Sequence, residues 1–141
     1  MTFLQERISM KRVLIVDDNR LERSLIVHIL RNAYKDQIQI DEANDGESAI
    51  SFLSRTSIYD LVITDLVMPR IEGLELISKI RLLFPSNNNI LAISGSNPYY
   101  LTLAKKLGAI GVFTKPLDKD RFLHAVNCIF NKESIENERI A

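Results

Sequence analysis

Four apolar runs in this chain each end on residues able to handle a charged ligand. Val13–Val16 leads into Asp17 and Asp18, Leu61–Thr64 into Asp65, Leu91–Ile93 into Ser94 and Gly95, and Gly111–Thr114 into Lys115 and Pro116. Carboxylates are hard oxygen ligands, and Mg²⁺ commonly takes one or two of them together with a phosphate oxygen. Three carboxylates gathered at one place repel and raise one another's pKa, so a fold that gathers them calls for a compensating cation. A lysine ammonium adds a fixed positive charge for a phosphoryl oxygen, and a serine hydroxyl adds a hydrogen-bond donor. If the four runs are neighbouring parallel strands, these groups converge on one sheet edge. That edge can bind a divalent cation and accept a phosphoryl group.

Taken singly, each residue has a plainer use. Asp17-Asp18 suits a turn and a helix cap, Asp65 a turn, Ser94 a cap, and Lys115 a solvated surface. The weight lies in the conjunction and in the elements that must position it. Arg12–Val16 is short, β-branched and apolar, as a strand buried on both faces is. Asp18 or Asn19 can cap a helix carrying Leu21, Leu25, Ile26, Ile29 and Leu30 at helical spacing. Ile38–Ala43 alternates as a strand nearer an edge does, Asp45-Gly46 punctuates it, and Ala49, Ile50 and Leu53 predict a second helix. Leu61–Thr64 is the third strand. A third helix opens at Gly73, with Leu74, Ile77, Ile80 and Leu83 at helical spacing, and ends by Pro85.

Ser86–Asn89 reads as a turn, and Ile90–Ser94 as the fourth strand. Pro98 opens a helix that Gly108 stops after Leu107. Gly111–Thr114 is the fifth strand, and Asp118 caps a last helix carrying Phe122, Leu123, Val126, Ile129 and Phe130. Strands alternating with helices predict an α/β fold: one domain with a doubly wound five-stranded parallel sheet and helices on both faces. In such sheets ligands bind beyond the carboxyl ends of the strands. All four signals lie there.

At 141 residues the chain is one domain by length and needs no disulfide or structural metal to fold. The 18 basic and 18 acidic residues cancel, which leaves no footprint for direct nucleic-acid or membrane binding. Cys128 is the sole cysteine, so no internal disulfide forms; with no base near it in the sequence pattern, it reads as a buried inert thiol. No apolar stretch reaches a bilayer-spanning length, and the acid-bearing start, Met1–Arg7, is no signal peptide. A cytoplasmic location is the expectation.

These residues resemble the receiver domain of two-component response regulators. The resemblance runs from about Met10 to Lys132. It is carried by Val16-Asp17-Asp18, Glu42-Ala43 with Gly46, Ile63–Pro69 with Gly73, Ile93-Ser94-Gly95, Gly108-Ala109 and Lys115-Pro116. It implies a flavodoxin-like strand order 2-1-3-4-5, a receiver domain at residues 10–132, a short extension at 1–9 and a tail at 133–141. It also implies that Asp65 takes a phosphoryl group from a sensor histidine kinase or a histidine phosphotransfer protein. Mg²⁺, for which Mn²⁺ substitutes, would be held by Asp17, Asp18, Asp65 and the backbone carbonyl of Val67. Ser94 and Lys115 would hold the phosphoryl oxygens, and Lys115-Pro116 would be cis. The expectation is a stand-alone phosphorelay element, not an enzyme beyond self-phosphorylation and self-dephosphorylation. Its output would be contact with a downstream protein through the surface of helix four, strand five and helix five, as a monomer or a phosphorylation-dependent dimer.

The sequence departs from the family at Val112, where many receivers carry a Tyr or Phe that reports phosphorylation. Phe113, next along the strand, points to the opposite face and belongs to the core. Gly95 stands where the family often has Ala and leaves room near the phosphoryl group. His28 and His124 read as ordinary helix residues. Tyr99, Tyr100 and Leu101 cannot all face the core, so part of that patch is expected at the surface. Two rival functions remain. One is a receiver-like docking module that is never phosphorylated. The other is an aspartate-dependent phosphohydrolase with Asp17 as nucleophile, against which Asn19 stands where such enzymes carry a second Asp.

Overall fold

Strand propensity and chain punctuation place five strands: β1 (Lys11–Val16), β2 (Ile38–Ala43), β3 (Leu61–Asp65), β4 (Ile90–Ser94) and β5 (Gly111–Thr114). In the computed structural model they form one parallel sheet in the order β2-β1-β3-β4-β5, as the resemblance implied. The structure describes residues 10–55, 58–67, 72–87, 89–95 and 98–133. Met68-Pro69 of the third-strand motif, Asn88 of the turn, the 1–9 extension and positions 134–141 of the tail lie outside the described residues.

Four α-helices make the crossovers, α1 (Arg20–Tyr34), α2 (Gly46–Arg55), α3 (Gly73–Leu83) and α4 (Pro98–Leu107), and α5 (Lys119–Phe130) follows β5. A short 3₁₀ turn at Lys35–Gln37 follows α1. The caps foreseen in the sequence form. The Asn19 side chain accepts the Glu22 N–H at 3.0 Å, and Asp118 accepts the Arg121 N–H at 3.1 Å. At the end of α4 Gly108 takes a φ of 127°, a conformation that disfavours any residue with a Cβ.

Alternation along the buried strands sorts the core into two layers. Val13, Ile15, Leu61, Ile63, Leu91, Ile93 and Phe113 pack beneath α1 and α5. Leu14, Val16, Val62, Ile90, Ala92 and Val112 pack beneath α2, α3 and α4. Phe113 meets Phe122 edge to face with ring centroids 5.8 Å apart, and both belong to the α1–α5 layer. Its reading as core holds.

Three apolar residues expected on buried stripes are exposed. Leu21 is 81% accessible, and Leu25 and Leu83 are also exposed. The first turn of α1 stands beyond the carboxyl end of the sheet, beside Lys115, so Leu21 has no strand residue beneath it. Only Ile26, Ile29 and Leu30 of that helix are buried. Leu83 is the last residue of α3, and Phe84, just past it, turns inward to pack in its place.

Candidate functional site

Register levels the strand ends. Val16 of β1 lies opposite both Ala43 and Thr64, Asp65 of β3 opposite Ile93, and Ser94 of β4 opposite Thr114. The residues that follow on β1 and β5 are Asp17 and Lys115, so the four sequence signals meet along one edge. Asp17, Asp65 and Ser94 are all buried.

Lys115 is the centre of the arrangement. Its Nζ lies 3.4 Å from Asp65 Oδ1 and 3.5 Å from Asp17 Oδ2, and it donates a hydrogen bond to Glu22 Oε1. The backbone holds the lysine in register, its N–H donating to the Ser94 carbonyl at 3.1 Å. The Lys115-Pro116 peptide is cis, as expected.

Asp65 Oδ1 also accepts the Leu66 N–H at 2.9 Å, and the Asp65 carbonyl accepts the Thr64 hydroxyl at 2.8 Å. Gly73, at the start of α3, presses against this segment. A Cβ there would sit 2.1 Å from the Asp65 carbonyl oxygen, and the Gly73 N–H donates to the Leu66 carbonyl at 3.1 Å. Only glycine permits that approach. Gly95 serves the other side, since a Cβ there would lie 3.3 Å from Lys115 Cβ. The room it leaves is against the lysine stem.

The charges do not balance. Asp17, Glu22 and Asp65 bring carboxylate oxygens within 4.8 Å of one another around a single ammonium. Burial, then the Asp17 carboxylate, pushes the Asp65 carboxyl up to about 6 although Lys115 pulls the other way. Burial likewise pushes Asp17 upward, against the Asn19 N–H that donates to it at 2.9 Å and against Lys115. Burial disfavours the charged form of Lys115, but Glu22, Asp65 and Asp17 outweigh it and move its pKa upward. Two carboxylate charges remain uncompensated, and all the donors are hard oxygens. The residues fit a small divalent cation.

Asp18, expected beside Asp17, is exposed and is not one of the three clustered acids, although its charge adds to the upward push on Asp17. Val67 follows Asp65 by two residues with its side chain half-exposed. The sequence reading missed Glu22. The available signal was its place in the first turn of a helix that starts at a strand end, where an acid ordinarily just complements the helix dipole. Arg23 was also missed: its Nη1 donates to the Asp17 carbonyl at 2.8 Å and its Nε to Glu42 Oε1 at 2.9 Å, tying the β1 end to β2.

Elsewhere, His28 and His124 are exposed helix residues. Cys128 is buried, as expected, but it does have a base beside it, since His124 Nε2 lies 3.7 Å from its sulfur. A base one turn earlier on the same helix was legible in the i, i+4 spacing. Tyr99 and Tyr100 are exposed while Leu101 is buried, which resolves that patch as expected.

A family model described as the response regulator receiver domain matches residues 13–127. The chemotaxis protein CheY of Halobacterium salinarum is 32% identical over 117 residues, which cover 83% of this chain and 94% of that protein. The CAI-1 autoinducer sensor kinase/phosphatase CqsS of Vibrio cholerae is 32% identical over 126 residues, covering 87% of this chain and 18% of the relative. The chain therefore spans nearly all of one relative and under a fifth of the other. A response regulator receiver protein from Pseudomonas putida, solved as a crystal structure, superposes with a TM-score of 0.73 at 30% identity, covering 84% of this chain and 97% of that one.

Proposed function

The chain belongs to the response regulator receiver domain family of two-component systems, and on that premise we propose that it accepts a phosphoryl group on Asp65 and signals by protein contact. The observation that carries this reading is the Lys115 ammonium set against two buried carboxylates, Asp65 and Asp17, at the ends of parallel strands. An aspartate titrating near 6 is ionised at neutral pH yet more basic than an ordinary carboxylate. That suits a nucleophile.

In the proposed reaction an Asp65 oxygen attacks the phosphorus of a phosphohistidine. The new P–O bond forms as the P–N bond breaks, and the bonding pair leaves on the imidazole nitrogen, which takes up a proton. The donor would be a sensor histidine kinase or a histidine phosphotransfer protein. Lys115 and Ser94 bind the phosphoryl oxygens and orient them. Asp17, Asp18 and Asp65, with the Val67 carbonyl, would hold Mg²⁺ or Mn²⁺, which neutralises charge on the transferring group. The functional unit is taken as residues 10–132. Its output surface would be α4–β5–α5, where Tyr99 and Tyr100 stand exposed on α4.

Incubating the intact protein with acetyl phosphate and Mg²⁺ should add one phosphate, lost on Asp65→Asn. Labelling of the Asn variant at the wild-type level would overturn the assignment of Asp65. Failure of wild type to take phosphate from any small donor would instead favour a docking module.

A further inference from the structure

Glu22 is the acid that actually holds Lys115. The ammonium donates a hydrogen bond to Glu22 Oε1, whereas Asp65 and Asp17 stand off at 3.4 and 3.5 Å, long for charge-assisted bonds. Glu22 is rooted in the capped first turn of α1, its own N–H bound by Asn19. Its side chain is 44% accessible against 20% for Lys115, so it can swing into water while the lysine cannot. Arg23, the next cation along, is committed to Glu42 and to the Asp17 carbonyl. A phosphoryl oxygen arriving at Asp65 therefore meets an ammonium whose closest hydrogen bond already goes to Glu22.

Resting on the receiver reading above, we propose that Glu22 is a positioning residue that occupies the phosphoryl group's place on Lys115. Acceptance of the phosphoryl group on Asp65 then requires Lys115 to exchange the Glu22 carboxylate for a phosphoryl oxygen. Glu22 thereby slows capture and favours the unphosphorylated state. The freed carboxylate leaves toward solvent, carrying its charge away from the incoming dianion.

The test compares wild type, Glu22→Gln and Glu22→Asp for the initial rate of phosphorylation by acetyl phosphate at saturating Mg²⁺, read as intact mass. Aspartate keeps the charge but falls one methylene short of the lysine, so it separates reach from charge. Both variants should react faster, by roughly 1.5- to fivefold, the range a partly exposed ion pair spans. NMR of the Lys115 ε-methylene, recorded without metal, supplies a second readout: its signal should shift in both variants toward a less tightly paired position. If wild type is labelled and all three rates agree, the inference fails alone. It fails also if Glu22→Gln is slower, or if Glu22→Asp matches wild type in rate and in the lysine signal. If wild type takes no label, the receiver reading falls and the inference with it.

Discussion

Replacing Asp65 with Asn should stabilise the metal-free protein at neutral pH and leave it unchanged in acid. Burial, then the charge on Asp17, moves the Asp65 carboxyl from an ordinary 3.8 up to about 6. Between those two values the folded state retains a proton that the unfolded state has lost, so stability falls as pH rises. The contribution is fully present below about pH 4 and is gone once the pH has passed well above about 6. The two titrations lie about two pH units apart, at about 1.36 kcal/mol each, so ionised Asp65 costs the folded protein about 3 kcal/mol. With only 8% of the residue accessible, solvent screening removes little of that. Asparagine still presents an oxygen to the Leu66 N–H but cannot ionise. Urea unfolding in EDTA, followed by far-UV circular dichroism from about pH 4 to about pH 8, reads the difference. For an m-value of about 2 kcal/mol/M the Asn variant should gain on the order of 1–2 M in midpoint at the alkaline end and nothing at the acid end. Millimolar Mg²⁺ should narrow the gap by stabilising wild type. A gap independent of pH, or an Asn variant weaker than wild type at about pH 8, would refute the electrostatic reasoning.

Gly73→Ala places a Cβ 2.1 Å from the Asp65 carbonyl oxygen; it should cost about 3 kcal/mol in urea unfolding and slow phosphorylation more than about tenfold. Gly95→Ala meets only the Lys115 stem at 3.3 Å and should stay within about 1 kcal/mol of wild type. Phe122→Ala removes a fully buried ring packed on Phe113 and should cost about 3–5 kcal/mol, read from the unfolding midpoint. Asn19→Ala leaves the Glu22 N–H without its cap and should lower stability by about 1 kcal/mol, measured the same way.

Much of this molecule is written locally. Continuous apolar runs ending on polar residues locate the strands, and Asn19, Gly108 and Asp118 mark helix ends by chemistry that works within four residues of chain. Strand order has no such local signature, and it came from the resemblance. Glu22 escaped because its role depends on Lys115, ninety-three positions away, whereas its local role as a first-turn acid was already sufficient. Asn87 escaped likewise. It sits in a stretch that reads only as a turn, yet it is buried and its Oδ1 accepts the Tyr59 N–H at 2.6 Å, joining the approaches to β3 and β4. Leu21 and Leu25 show the converse failure. Periodicity registers a stripe but not how far the sheet beneath it extends.

The split of the core between two helix layers also bears on how the chain is made. Every strand pairing is parallel, so none closes by a local hairpin. The layer over Val13, Ile15, Ile63, Ile93 and Phe113 needs α1, translated early, and α5, translated last among the described helices. Until α5 leaves the ribosome only α1 covers that side of the sheet, while α2, α3 and α4 can already cover the other. At about 5–20 residues per second, translating the stretch from Lys115 to Phe130 takes on the order of one to three seconds. During that interval the apolar positions that α5 will cover, Phe113 among them, are open to other chains.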